Sequence, residues 1–271
     1  MRKIFTFWEP KEKIPGYIRL CMRTWEKYLI NYDIVVCDYD NLNDYLPIEI
    51  INKCVCKKMS LAMQSDAIRA ALVNHNGGIW IDADTIVTSH RFQNYIESFN
   101  SDCVMIGDCS RDILFGAFIY SASPHGAFMN KWYETVVEHV SRYKKAHYIH
   151  KLTGLMRSEY KRTHNWDWCV NAIIDPLQKQ MTEKDFKRID KDLINALPET
   201  KNNLKCGQTQ AERYREFYFN NTEGSLSELN NGGIILLHNS WTPEEFKSLD
   251  EQKFLESDIY LAKIIKEILN D

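Results

Sequence analysis

The sequence lacks any apolar run that approaches the ~18 residues needed for a membrane-spanning helix. Its first ten residues, MRKIFTFWEP, carry charge and proline where a secretory signal would have an apolar core. The 8 cysteines are scattered without a C-x-x-C motif, which disfavours a disulfide framework. These absences disfavour membrane insertion and secretion, and we expect a reduced, cytoplasmic protein.

Internal repeats, low-complexity tracts and a dominant basic charge are also absent. The formal net charge is −3, so nucleic acid is a poor candidate partner and none is expected. The chain has 271 residues, 44% of them hydrophobic, which is enough to bury a sizeable core. We therefore predict a single domain over residues 1–271.

Apolar periodicity predicts strands that alternate with helices in the first half of the chain. The predicted strands are 3–8, 33–38, 79–81, 103–107 and 113–121, and the predicted helices are 15–29, 61–73 and 254–269. Residues 124–180 are mainly helical in pattern, and 199–230 are polar and predicted to be irregular. This order predicts an α/β fold, a doubly wound, mostly parallel sheet flanked by helices, with a helical insertion in the second half.

The most informative segment is 65–87, SDAIRAALVNHNGGIWIDADTIV, where a glycine turn at Gly77 and Gly78 leads into a buried strand that ends in two aspartates. Alternate residues of an extended chain point the same way, so Asp82 and Asp84 are expected to share one ligand. Two neighbouring carboxylates repel each other, and a divalent cation with its preference for oxygen ligands relieves that repulsion. The alternative is a turn in which both side chains cap backbone amides.

A second glycine turn and apolar strand, at 231–237, ends in His238, Asn239, Ser240 and Trp241. The similar layout suggests that this polar tip supplies a third metal ligand to the Asp82 and Asp84 site. The alternative is a hydrogen-bonded histidine at a strand end, with Trp241 in the core.

These motifs resemble a known group, the DXD-containing sugar transferases of capsular polysaccharide synthesis. That group is related to α-mannosyl- and α-galactosyltransferases and, more distantly, to the glucosylating clostridial toxins. The resemblance rests on FTFW, DIVVCDYDNL, SDAIRAALVNHNGGIWIDAD and HNSW. It implies a GT-A-type fold, Mn²⁺ or Mg²⁺ dependence, and transfer of a sugar from a nucleotide-diphosphate donor, with UDP favoured over GDP.

The resemblance also assigns roles to single residues. Asp66 and Arg69 match the pair that contacts the donor sugar and phosphates, although at i, i+3 they also fit a surface salt bridge worth ~0.2–0.5 kcal/mol. Asp82 matches the residue at the ribose and the metal's water shell, and Asp84 matches the direct metal ligand. The remaining candidates are Phe7 and Trp8 at the nucleobase, with core packing as the alternative, and His238, Ser240 and Trp241 at the metal and diphosphate.

The resemblance implies retention of anomeric configuration and names no nucleophile. An inverting enzyme would instead need a carboxylate base, for which Asp108, Asp112 and Asp167 are candidates among which the sequence does not choose. The expected acceptor is an oligosaccharide or a lipid-linked glycan of a bacterial surface polysaccharide, and 124–180 is the expected acceptor side. The alternative functions are a toxin-like protein glycosyltransferase, a nucleotide-sugar hydrolase and a non-catalytic nucleotide-sugar-binding protein.

One segment of the second half, 142–162, is strongly basic. It holds seven basic residues against Glu159 alone, interleaved with tyrosines and leucines. We hypothesise that it contacts an anionic membrane surface or a lipid-linked acceptor, which would make the protein peripheral at the inner face of the membrane. A solvated helix face is the alternative.

Overall fold

The computed structural model describes residues 1–191, 208–222 and 233–270. Within these ranges the chain forms two compact units. The first consists of Met1–Lys11, Asp33–Ile81 and Phe99–Ile189, and the second of Glu12–Tyr32, Asp82–Ser98 and the described part of Asp190–Asp271. The single domain over 1–271 stays a prediction.

The strands of the described chain are β1 (Arg2–Phe7), β2 (Tyr32–Cys37), β3 (Gly78–Ile81), β4 (Thr85–Val87), β5 (Cys103–Asp108), β6 (Ile113–Ser121), β7 (Lys187–Asp190) and β8 (Ile234–Leu236). The α-helices are α1 (Gly16–Tyr28), α2 (Ile48–Cys54), α3 (Leu61–Asn76), α4 (Arg91–Glu97), α5 (Ala127–Thr153), α6 (Arg157–Thr163), α7 (Asn171–Gln178), α8 (Gln210–Tyr218), α9 (Glu244–Lys247), α10 (Glu251–Glu256) and α11 (Tyr260–Asn270). Each strand predicted from the sequence is present, with ends that shift by at most one residue. The mixed α/β fold is confirmed.

The first unit is built on a six-stranded sheet in the order β2-β1-β3-β6-β5-β7. β1 and β3 are parallel, β6 is antiparallel to β3, and β5 is antiparallel to β6. β1, β3 and β5 therefore run in one direction and β6 runs against them, which agrees with a mostly parallel sheet. Helices α3 and α7 pack on this sheet, and α5 packs against both of these helices. The helical pattern predicted for 124–180 is confirmed as α5, α6 and α7.

Glycine shapes the turn that leads into β3. Gly77 and Gly78 have φ angles of +66° and +88°, which other residues rarely adopt. A Cβ on Gly78 would lie 2.6 Å from the carbonyl oxygen of Lys3 in the neighbouring strand β1. The glycine pair therefore allows α3 to reverse directly into a strand that is buried along its whole length.

The second unit contains a two-stranded antiparallel sheet of β4 and β8, with α1 packed on β4. The side chain of Trp25 donates from Nε1 to the carbonyl oxygen of Thr85 at 2.6 Å, and Thr24 Oγ1 accepts the Val87 N–H at 2.9 Å. Two α1 side chains thus bind the backbone of β4 and hold the strand that follows Asp84.

Two sequence predictions fail in the second unit. The helix predicted over 254–269 is two helices, α10 and α11, because Ser257 is extended at φ −70° and ψ 140°. Apolar side chains continue across this break, since Ile259 is buried, and periodicity alone therefore suggested one helix. The predicted irregular stretch 199–230 contains α8 within 208–222, and the rest of it lies outside the described residues.

No helix in the described ranges combines the length and the apolarity that crossing a membrane requires. The seven cysteines of the described chain are free thiols, all buried except Cys109.

Candidate active site

Asp82 and Asp84 lie in a turn rather than in an extended strand. β3 ends at Ile81, β4 begins at Thr85, and the Thr85 N–H donates to the Asp82 carbonyl oxygen at 3.0 Å. The extended geometry predicted for the two aspartates is therefore wrong. The strand ends at Ile81 as predicted, and the chain then turns through Asp82–Asp84 into β4, which pairs with β8.

The strand pair β4 and β8 brings the C-terminal polar tip to Asp84. The Leu237 N–H donates to the Asp84 carbonyl oxygen at 3.1 Å, which extends the β ladder by one step. The Asn239 N–H then donates to Asp84 Oδ2 at 2.8 Å. The expectation that the HNSW segment returns to the aspartates thus agrees with the geometry of this unit, and the contact at Asp84 comes from a backbone amide of Asn239.

His238 lies beside this turn as a half-buried imidazole. Burial lowers its pKa to about 4, although the nearby Asp82 carboxylate acts in the opposite direction. The ring packs against Trp241 at a tilt of 37°, with 3.9 Å between ring centroids, and Tyr214 lies edge-on at 5.7 Å. The imidazole is therefore neutral at pH 7, which is the protonation state that binds metal ions.

Asn239 is held on its other side by Tyr17 of α1. The Tyr17 hydroxyl donates to Asn239 Oδ1 at 2.5 Å, and Tyr17 is fully buried. Burial raises the pKa of Tyr17 well above its usual range, and the Asp84 charge adds to this effect. The phenol therefore stays protonated and donates. No sequence pattern distinguishes Tyr17 from the other apolar and aromatic residues of α1, whereas Asn239 belongs to the polar tip that the sequence analysis identified.

The remaining residues of the C-terminal tip differ in exposure. Ser240 is exposed in the turn after His238, and Trp241 is half-buried. The carbonyl oxygen of Trp241 accepts from Arg215 Nε at 2.8 Å, which ties the tip to α8. Among the described residues, no group of three or more His, Cys, Asp or Glu side chains is arranged to hold a metal ion.

In the first unit, Asp66 and Arg69 form a buried ion pair on α3. Arg69 Nη2 lies 2.8 Å from Asp66 Oδ1, and each side chain is only 9% exposed. Arg69 Nη1 also donates to the Gly116 carbonyl oxygen at 2.5 Å, and the guanidinium lies 5.1 Å from the centre of the Trp80 ring. The alternative interpretation as a surface salt bridge is therefore wrong, because both charges are withdrawn from solvent.

The two aromatic candidates at the end of β1 have different environments. Phe7 is buried in the core of the first unit and meets Tyr39 edge-on, with 5.5 Å between ring centroids. Trp8 is half-buried, and its backbone N–H donates to the Cys37 carbonyl oxygen at 2.9 Å. Trp8 is thus the more accessible of the two rings, and contact of either ring with a nucleobase stays a prediction.

The carboxylates considered for an inverting reaction are also in the first unit. Asp108 accepts from Arg111 Nε at 2.7 Å, and Asp112 accepts from Lys179 at 2.8 Å and from Arg188 at 2.6 Å. Hydrogen bonds from Lys179 and Arg188 lower the pKa of Asp112, which makes it a weaker proton acceptor. Asp167 is half-buried.

Sequence and structure comparisons give similarities of different strength. A family model described as "capsular polysaccharide synthesis protein" matches residues 1–193. Among solved structures, the galactosyltransferase LgtC in complex with donor and acceptor sugar analogues is 7% identical, with a TM-score of 0.43 over 96% of this chain and 95% of its own. The PaToxG glycosyltransferase is 13% identical, with a TM-score of 0.37 over 64% of this chain and 78% of its own.

The glycosyltransferase GlyE of Streptococcus pneumoniae TIGR4 is 10% identical, with a TM-score of 0.38 over 94% of this chain and 63% of its own. No curated protein sequence matches this chain at a significant level. The family model covers well over half of the sequence and includes FTFW, DIVVCDYDNL and SDAIRAALVNHNGGIWIDAD, whereas HNSW lies beyond the matched region. The chain belongs to the capsular polysaccharide synthesis protein family, the group that its motifs resemble.

Proposed function

We propose that this chain is a metal-dependent glycosyltransferase that moves a sugar from a nucleotide-diphosphate donor, a UDP-sugar, to an oligosaccharide or lipid-linked acceptor of a bacterial surface polysaccharide. Its proposed location is the cytoplasm, at the inner face of the membrane, and the proposed outcome is retention of configuration. The observation that carries the proposal is the Asp82–Thr85 turn, with Asn239 bonded to Asp84 and His238 beside Asp82. Membership of the capsular polysaccharide synthesis family supports it.

The side chains of this turn fit a divalent metal that arrives with phosphate. Mg²⁺ and similar hard cations are commonly held by one or two carboxylates together with substrate phosphates and water, rather than by a complete protein cage. Asp82 and Asp84 would hold Mn²⁺ or Mg²⁺, and the neutral His238 or the hydroxyl of Ser240 would complete the protein ligands. When bound, the ion supplies positive charge that stabilises the departing nucleotide diphosphate.

The protein's own contribution is to fix these ligands before the donor binds. The Asn239 N–H restrains Asp84 through one carboxylate oxygen, and Tyr17 restrains Asn239 through its side-chain amide. Side chains that are restrained before binding lose less entropy in the complex, so this chain of hydrogen bonds favours metal and diphosphate binding. Tyr17 and Asn239 act as positioning residues in this proposal.

Asp66 and Arg69 are proposed to contact the donor sugar and phosphates, as the resemblance implies. Arg69 is oriented by Asp66, by the Gly116 carbonyl and by the face of Trp80. A guanidinium fixed on three sides is a directed donor of the kind that favours planar recognition of phosphate. Trp8 and Phe7 are proposed at the nucleobase, and Trp241 at the diphosphate.

The alternatives differ from this proposal in the acceptor. A nucleotide-sugar hydrolase would pass the sugar to water, a toxin-like enzyme would pass it to a protein, and a binding protein would leave the donor intact. Asp66, Arg69, Asp82 and Asp84 are all present, which supports an active donor site over a non-catalytic one.

The test is a panel of UDP- and GDP-sugars, each with and without Mn²⁺, scored by thermal shift and by nucleotide release. Asp84→Asn is the test variant. Asp44→Asn is the matched control, because it also removes one carboxylate but at an exposed position. We expect metal-dependent stabilisation by one donor, lost in Asp84→Asn and kept in Asp44→Asn. Nucleotide release without acceptor indicates hydrolysis. If no donor stabilises the protein in either metal condition, the proposal is wrong.

A further inference from the structure

Large apolar side chains are exposed where α5 ends and the chain turns into α6. Tyr148 is 56% exposed, Leu152 is 82% exposed and Leu155 is 65% exposed. Tyr148 and Leu152 are one helical turn apart and therefore lie on the same side of α5. Leu155 follows in the turn. A helix on the surface of a globular protein normally carries polar residues at the positions that face solvent.

The turn that carries Leu155 stands clear of the surrounding protein. Gly154 ends α5 at φ +71°, and a Cβ built on it would meet no atom within 4 Å. Hydrogen bonds fix the turn, since the Leu155 N–H donates to Thr153 Oγ1 at 3.2 Å and the Leu155 carbonyl oxygen lies 3.0 Å from His150 Nδ1. The exposed leucines are therefore presented by an ordered, projecting element.

Helix α6 returns along α5 through a stack of rings. The Tyr160 and His150 centroids are 4.3 Å apart, and those of Tyr160 and His164 are 3.7 Å apart. His164 Nε2 in turn lies 3.1 Å from Nδ1 of His147. These contacts bury the facing sides of the two helices against each other. The opposite sides near the turn face solvent.

Basic side chains surround the exposed leucines. Lys145, Lys151, Arg157 and Lys161 are exposed, and none of them has an acidic partner within the part of the chain that the structure describes. Arg142 and Arg162 differ, because both pair with Glu159. We use the name "basic tip" for Lys145, Tyr148, Lys151, Leu152, Leu155, Arg157 and Lys161.

We propose that the basic tip binds an anionic lipid bilayer. Cations next to projecting leucines match a surface on which negative headgroups overlie an apolar layer. Leu152 and Leu155 would insert, while the lysines and arginine stay at the headgroups with their stems along apolar surface. A soluble polyanion would use the charges alone and give the leucines no partner. This proposal does not rest on the donor site.

The test is co-flotation of the full chain with vesicles of phosphatidylcholine alone or with phosphatidylglycerol at low salt. We expect binding to the anionic vesicles only. The triple variant Lys145→Gln, Lys151→Gln, Lys161→Gln lacks three cations, and its binding to anionic vesicles should be weaker by about fivefold for each lysine removed. Leu152→Ser with Leu155→Ser should weaken it by about tenfold, because less apolar area leaves water.

The matched controls are Lys13→Gln, Lys184→Gln, Lys266→Gln for charge and Ile30→Ser, Ile48→Ser for exposed apolar area. Both controls should bind as the parent chain does. The proposal is overturned if the chain stays at the bottom with anionic vesicles. It is also overturned if the leucine variant binds as well as the parent while heparin displaces both equally, because that pattern indicates a polyanion site.

Discussion

Replacement of Asp66 by Asn should destabilise the protein through the charge left on Arg69. The substitution keeps the side-chain volume but removes the carboxylate from a pair with 9% exposure on each side. Breaking a buried pair by removing one partner costs about 3–5 kcal/mol. We take about 3 kcal/mol, the low end of this range, because Arg69 keeps the Gly116 carbonyl and the Trp80 face.

For a chain of this size the expected loss corresponds to a fall in Tm of about 6–12 °C. The assay is chemical and thermal denaturation of Asp66→Asn, Arg69→Met and the double variant. The double variant should lose less unfolding free energy than the two single variants lose together, because neither charge then remains unpaired in the interior.

The control is Glu251→Gln, which breaks the exposed pair with Arg23, where the N–O distance is 3.2 Å. Its expected cost is about 0–1 kcal/mol. Two results would refute the reasoning. The first is a double variant whose loss of unfolding free energy equals the sum of the two single losses. The second is a Glu251→Gln cost equal to that of Asp66→Asn, since burial of the pair would then make no difference to its cost.

Three further predictions concern the site and the α5–α6 region. Gly116→Ala should cost about 1–3 kcal/mol and weaken donor stabilisation, because its Cβ would lie 2.7 Å from Arg69 Nη1. Gly126→Ala has its nearest contact at 3.8 Å but lies at the N-cap of α5, so in the same denaturation and thermal-shift assays it should cost less than Gly116→Ala and leave donor stabilisation unchanged. Tyr17→Phe should lower Mn²⁺ affinity in the presence of donor by about tenfold, measured by titration calorimetry, and unchanged affinity would remove Tyr17 from the positioning role. Burial lowers the pKa of His164, with smaller contributions from nearby positive charge. The contribution of His164 to the free energy of unfolding should therefore be fully present above pH ~6.5 and fall as the pH drops, because the unfolded chain binds the proton more readily. The free energies of unfolding at pH 7 and pH 5 should differ less in His164→Asn than in the parent chain.

Local patterns predicted the regular elements well. The strand over 113–121 has the predicted ends, and the glycine turn before β3 has the positive φ angles that only glycine adopts readily. These features depend on residues close together in sequence, where apolar alternation and backbone sterics decide the outcome. The return of the HNSW segment to Asp84 followed from the similarity of two short motifs.

Features that depend on distant residues could not be predicted. The burial of Asp66 and Arg69 depends on Gly116 of β6, whose missing side chain leaves room for the guanidinium. The turn at Asp82–Thr85 depends on pairing between β4 and β8, and Tyr17 acquires its partner from the far end of the chain. No local pattern encodes such contacts, because they exist only after the chain has folded.

The bond between Asp84 and Asn239 joins residues 155 positions apart. Closing a loop of that length costs about 4.5 kcal/mol in chain entropy beyond a constant, so the contact forms only when the strands around it already pair. The family match ends at residue 193, well before this contact. A chain released from the ribosome before residue 239 would carry both aspartates and the whole matched region, yet Asp84 would lack its amide partner. The hydrogen bond that restrains Asp84 would thus be available only to molecules translated past residue 239.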